Sequence, residues 1–200
     1  MTASLPLPSG VSRGLPGAGR SSHRALVPVT PRPLPQLRLV AQPEGLLQVH
    51  TAPFRGSFSG VLSQALRAAG LGSRVLVSQL LMGGVDQGVD ASTWLCGRLQ
   101  WIRPAVAACV EQPAAEVPGV AAAVAEIWAF SREQLLSGAV DLMVLDELGL
   151  AVELGYVSLD EVMASLRHRP AHLDVVLTGS TMPSELMTLA DQVTQLRRGL

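Results

Sequence analysis

"DLMVLDEL", residues 141–148, decides the fold. Leu142, Met143, Val144 and Leu145 form an unbroken apolar run, so both faces of this strand are apolar. A strand that buries both faces belongs in a parallel sheet covered by helices on each side. Two acids, Asp146 and Glu147, stand at its carboxyl end. Runs of the same kind lie on either side: "RVLVSQLL" (74–81) and "LDVVLTG" (173–179), with shorter ones at 46–49 ("LLQV") and 192–197 ("QVTQLR"). Helical patterns separate them. Residues 57–69 place Phe58, Val61, Leu62, Ala65, Leu66 and Ala69 at helical spacing, and Gly70 and Gly72 stop the run. Residues 120–136 read as a long helix ended near Gly138, and 93–110 as partly helical. Ser158 and Glu161 have capping-box spacing at the head of a helix that ends at Pro170. Pro183 and Glu185 open a helix over 182–191. This alternation predicts an α/β sandwich with a mainly parallel sheet, in which ligands bind beyond the carboxyl ends of the strands. The acids at 146–147 and the loop at 50–60 both fall there.

Composition narrows the classes. Hydrophobic residues make up 48% of the 200, enough for a buried core, while aromatics are only 4%, so that core is built mainly from Val, Leu and Ala. A formal net charge of −1 argues against non-specific nucleic-acid binding. No apolar run reaches the length of a membrane span. Two cysteines, Cys96 and Cys109, make no disulfide framework and point to a reducing, cytoplasmic compartment. All 15 basic residues are arginine, so no lysine is available for phosphate contact or Schiff-base chemistry. Residues 1–45 hold most of the 14 prolines, with five arginines and one acid, Glu44. They read as a disordered tail, with transit-peptide composition as the second reading. Residues 46–200 are expected to form the folded domain.

The loop "HTAPFRGSFSG" (50–60) joins a strand to a helix and carries glycine, as phosphate-binding loops do. Thr51 stands at its head. A complete GxxxxGK[ST] loop would follow Gly56 with lysine and a metal-binding hydroxyl. Here Ser57 and Phe58 occupy those two places. What remains for an anion is Arg55, Ser57, Ser59, Gly56 and the amides at a helix N-terminus. The alternative is an ordinary strand–helix turn with Ser57 as N-cap. An acid pair after an apolar strand is the pattern that holds Mg²⁺ near nucleotide phosphates. For Asp146 and Glu147 the alternative is a solvated loop or a helix cap.

Residues 141–197, with "LDELG", "GY", "EV", "RP", "VVLTG" and "AD" in order, resemble the C-terminal half of the P-loop-type ATP:corrinoid adenosyltransferases. "ALRAAGLGSRVLVSQLL" (65–81) resembles that family's first helix and second strand. The resemblance covers about half the chain. It implies a P-loop NTPase-like three-layer sandwich that transfers the 5′-deoxyadenosyl group of ATP to the cobalt of a reduced corrinoid, in cobalamin biosynthesis or salvage. It implies ATP and Mg²⁺ as cofactors, a corrinoid substrate, catalytic and metal roles for Asp146 and Glu147, and a possible homodimer. Arg55, Gly56, Ser57, Phe58 and Ser59 match the family's "KGKTT". Arg55 and Ser57 therefore replace two lysines, and Phe58 replaces the metal-binding threonine. Gly149 replaces an asparagine and Ser180 an arginine. The family's "GFTW" loop has only a partial echo in Trp94, with Trp101 nearby. These departures raise a second expectation: an inactive member acting as a nucleotide-, corrinoid- or protein-binding module. Cys96 and Cys109 lack metal-ligand spacing. His168 and His172 are separated by Pro170 and do not share a helical face.

Overall fold

The computed structural model describes residues 44–56, 58–84 and 88–197. The tail expectation lies outside the described residues up to residue 43, as does Ser57. Gly45 already belongs to the fold, its N–H donating to the Ala171 carbonyl at 2.7 Å.

Among the described residues seven strands make one sheet: β1 (Leu47–Thr51), β2 (Val75–Gln79), β3 (Thr93–Leu95), β4 (Leu99–Ile102), β5 (Leu142–Asp146), β6 (Asp174–Gly179) and β7 (Gln192–Gln195). Their order is β3-β4-β2-β5-β6-β1-β7. Every pairing is parallel except β3 with β4. Helices α1 (Ser59–Gly70), α2 (Pro118–Ser137), α3 (Leu148–Glu153), α4 (Leu159–Arg167) and α5 (Ser184–Leu189) cover it. The apolar runs alternate cleanly between the two faces, as period 2 requires. Leu76, Met143, Leu145, Val175 and Leu177 join a core with α2, α3, α4 and α5. Val75, Val77, Leu142, Val144 and Val176 join a second core under α1. The result is the expected three-layer α/β sandwich.

Topology places the site. From β1 the chain crosses one face through α1 to β2, three strands away. From β6 it crosses the other face through α5 to β7. Adjacent strands whose connections leave on opposite faces open a crevice at their carboxyl ends, the usual ligand site of an open α/β sheet.

Three local expectations are corrected. Residues 93–102 form a hairpin rather than a partly helical stretch. Leu95 pairs with Leu99 across a three-residue connection, in which Cys96 (φ 53°) and Gly97 (φ 64°) are left-handed and the Arg98 N–H donates back to the Leu95 carbonyl at 3.2 Å. The capping box at Ser158 does not form: Ser158 makes no side-chain cap bond, and Glu161 accepts from Trp128 Nε1 at 3.1 Å. Finally, Leu148–Glu153 is helical, a short segment that the periodicity does not predict.

Phe58 is the N-cap of α1 and is buried in the second core. Its ring replaces a hydroxyl with packing, so restoring the hydroxyl carries a stability cost. Phe58→Thr is expected to destabilise the domain by about 2–3 kcal/mol, slightly less than a typical Phe→Ala truncation. The midpoint of urea unfolding at constant m-value measures it.

Candidate functional site

Four strands deliver side chains to one edge of the sheet: Thr51 from β1, Gln79 from β2, Asp146 from β5 and Thr178 from β6. All four are buried. The parallel register brings them level, since Gln79 pairs with Asp146 and Thr51 with Gly179.

Asp146 sits at the centre of a hydrogen-bond chain. Gln79 Nε2 donates to its Oδ2 at 2.7 Å, and Thr178 Oγ1 donates to its Oδ1 at 2.6 Å. The Gln79 amide cannot flip, because its Oε1 accepts from Trp101 Nε1 at 2.9 Å and from Arg103 Nε at 2.8 Å. Arg103 also lies over the Trp101 ring, 5.7 Å from its centroid. Burial pushes the Asp146 carboxyl above its ordinary range, and the bonds from Thr178 and Gln79 hold it back only in part. The folded state therefore binds the Asp146 proton more tightly than the unfolded chain does. Stability from this group is greatest below the ordinary aspartate value and declines as pH rises through the raised one. Asp146→Asn is expected to remove that decline from a pH–stability profile followed by denaturant unfolding.

Glu147 is the next residue, held in the left-handed region at φ 60°. A non-glycine residue keeps that conformation only where its surroundings over-determine it. Here they do. Its N–H donates to Thr178 Oγ1 at 3.0 Å, and its carbonyl accepts from Ala151 N at 3.0 Å. Its carboxylate is gripped by the Arg55 fork, Nε to Oε1 and Nη2 to Oε2, both at 2.6 Å. Arg55 Nη1 donates further to the Val110 carbonyl at 3.0 Å. The bond to Glu147 is the main reason the Arg55 guanidinium holds its proton even more firmly than usual. Short bidentate pairs of this kind combine charge with fixed geometry.

The predicted residues are therefore partly united. Arg55, Asp146 and Glu147 form one cluster with Thr178. Gly56 turns the loop at φ 75°, with no heavy atom within 4 Å of where a Cβ would lie. Ser59 opens α1 and is exposed; its carbonyl accepts from Ser63. Thr51 lines a separate hollow of about 330 Å³ with Ala52, Pro53, Ser180, Gln195 and Arg197. That hollow lies at the carboxyl ends of β6, β1 and β7. Trp94 lies elsewhere, in a hollow of about 550 Å³ beside Arg74, Val75 and Val140, at the amino end of the parallel strands. Trp101, not Trp94, reaches the acids, through Gln79. The sequence reading missed Gln79, Thr178 and Arg103. The available signal was Gln79 itself, a long polar side chain inside an apolar strand.

Comparison with known proteins agrees with this architecture. The family described as ATP:corrinoid adenosyltransferase BtuR/CobO/CobP matches residues 43–199. The corrinoid adenosyltransferase of Escherichia coli (strain K12) is 29% identical over 159 residues, covering 76% of each chain. Corrinoid adenosyltransferase CobA of Salmonella typhimurium is 30% identical over 159 residues, again 76% of each. The corrinoid adenosyltransferase of Pseudomonas aeruginosa is 30% identical over 162 residues, covering 76% of this chain and 74% of its own. A sheet of this order, an acid pair at the end of its central strand and a match running from residue 43 to residue 199 place this chain in the ATP:corrinoid adenosyltransferase family.

Proposed function

We propose that this chain transfers the 5′-deoxyadenosyl group of ATP to the cobalt of a reduced corrinoid, with the triphosphate held by the loop at 51–59. The observation that carries the reading is the convergence of Arg55, Asp146 and Glu147 at the carboxyl edge of the sheet. In this reaction the Co(I) electron pair attacks ribose C5′. A Co–C bond forms, the C5′–O bond breaks, and triphosphate leaves with the electron pair. The chain's task is to bind and neutralise that leaving group. Arg55, the backbone of the loop at Gly56 and Arg197 beside Thr51 are the groups available to do so. Gln79 and Thr178 fix the orientation of Asp146, and the Asp146–Glu147 step fixes Arg55.

Mg²⁺ accompanies ATP in the expectation above, and the residues present do not fit it as a protein-held ion. Mg²⁺ requires near-octahedral oxygen ligands, usually one or two carboxylates with phosphate oxygens and waters. Both Glu147 oxygens are engaged by Arg55, and both Asp146 oxygens accept hydrogen bonds. The Phe58 side chain offers no oxygen, and its carbonyl is taken by the N–H groups of Val61 and Leu62. No group of three or more His, Cys, Asp or Glu suited to a metal occurs among the described residues.

The test mixes purified protein, ATP and chemically reduced cobalamin, and follows adenosylcobalamin by absorbance. Product formation that depends on the protein is the expected result. No product together with no ATP binding by calorimetry would favour the binding-module reading. The resemblance also carries a homodimer, which light scattering checks directly.

A further inference from the structure

We infer that Arg55 occupies the cation position of this site, so that Asp146 and Glu147 hold no divalent metal. A guanidinium has five N–H donors. Arg55 uses three of them, two on Glu147 and one on the Val110 carbonyl. Two remain, one on each terminal nitrogen; they have no partner among the described residues and can be offered to an anion. The Arg55 side chain is 29% exposed while that of Glu147 is 6% exposed, so the solvent-facing partner of the pair is the cation.

A metal ion cannot share this arrangement. To ligate Glu147 it must break two short bonds and sit beside the guanidinium it displaces. Glu147 cannot swing out to meet it, because its main chain is tied to Thr178 and to the first turn of α3. Asp146 is pinned on both oxygens by side chains that are themselves buried. The hydroxyl that would complete a metal shell is replaced by the buried ring of Phe58. Three departures in one loop thus describe one change. The lysine and the metal-binding hydroxyl are absent, and a single arginine, fixed by the acid next to Asp146, supplies the positive charge. Arginine suits this place because its fork can grip a carboxylate and still present donors to phosphate.

The metal arm of the test does not depend on nucleotide. Mn²⁺ alone is titrated into the full chain, and the free-ion signal is read by electron paramagnetic resonance. The wild type is expected to leave Mn²⁺ free into the millimolar range. Arg55→Met keeps the length and removes the charge; it is expected to gain a site at least about tenfold tighter, a gap of about 1.4 kcal/mol. Adding Glu147→Gln is expected to abolish that site. A submillimolar Mn²⁺ site in the wild type that Glu147→Gln removes would overturn the inference. So would a folded Arg55→Met variant, checked by circular dichroism, that gains no Mn²⁺ site.

The second arm rests on the proposed phosphate loop. ATP is titrated by calorimetry in EDTA and again in excess Mg²⁺. Dissociation constants within about twofold of each other are expected, and a loss of about tenfold or more in EDTA would count against Arg55 as the site's cation. Absence of ATP binding in both buffers sinks the phosphate-loop reading by itself, and the Mn²⁺ result then decides the metal question alone.

Discussion

Arg55→Ala is expected to lower kcat/KM for adenosyl transfer by about 10²–10³-fold, the range found when one preorganised donor to a developing anion is removed. The loss has two sources. The two Arg55 donors used by neither Glu147 nor Val110 disappear, and with them the contact proposed for the triphosphate. Glu147 also becomes an unpaired carboxylate beside a polyanion. The Arg55–Glu147 pair is neutral, so deleting the cation leaves a net charge of −1 on that pair where negative charge must be bound. Arg55→Lys separates the two effects. A lysine keeps the charge and loses the fork, so it can neutralise Glu147 or meet phosphate but cannot do both with fixed geometry. Its expected activity lies between wild type and alanine. If Arg55 acts mainly as the leaving triphosphate develops charge, the alanine effect falls on kcat. If it contributes uniform binding, the effect falls on KM. An Arg55→Ala variant with wild-type kcat/KM would remove Arg55 from the site.

The acids and the strands that carry them were legible because their signal is local. Residues 142–145, 75–77 and 175–177 are apolar at every position, and only a doubly covered strand tolerates that. Asp146 and Glu147 then follow at the strand end, where open α/β sheets bind ligands. The hairpin at 93–102 was hidden because its turn uses Cys96 in the left-handed region, a residue with no turn preference, and only Gly97 marks it. Helix α3 was hidden because the chain enters it directly from β5 through Glu147 at positive φ, without a capping residue. Glu161 had the spacing of a cap, and Trp128 captured it from another helix. The same physics hid half of the site. Gln79, Trp101, Arg103 and Thr178 are joined to Asp146 by tertiary hydrogen bonds, and no local pattern announces such bonds. The meaning of Arg55 was hidden in part as well. Its place in the loop was readable, but its grip on Glu147, 92 residues away in sequence, was not.

Gly149→Asn, which restores the residue the resembling family carries, is expected to destabilise this chain by at least about 3 kcal/mol, in the upper range for overpacking. The reason is backbone, not side-chain, crowding. A Cβ at position 149 would lie 1.6 Å from the Thr181 carbonyl oxygen and 2.7 Å from its carbonyl carbon. Neither atom belongs to a side chain that could rotate away. Gly179 meets the same carbonyl, since its Cβ would lie 2.7 Å from Thr181 O and 3.2 Å from Gly149 N. Position 149 therefore cannot gain space by pressing towards β6. The segment after β6 rests on the first turn of α3, and either it or α3 must shift to admit a Cβ. For a chain of this size each kcal/mol lowers Tm by about 2–4 °C, so a drop of roughly 6–12 °C or more is expected in a thermal melt. Ser180→Arg, the other family residue at this place, is expected not to rescue it, because the clash is with the main chain of Thr181. Glu153→Ala, on the exposed side of the same short helix, provides the contrast and is expected to change stability by no more than about 0.5 kcal/mol. A Gly149→Asn protein as stable as wild type would show that the 180–182 segment yields readily. The glycine would then be a simple loss of a side chain, not a requirement of how this chain closes the β6 side of its site.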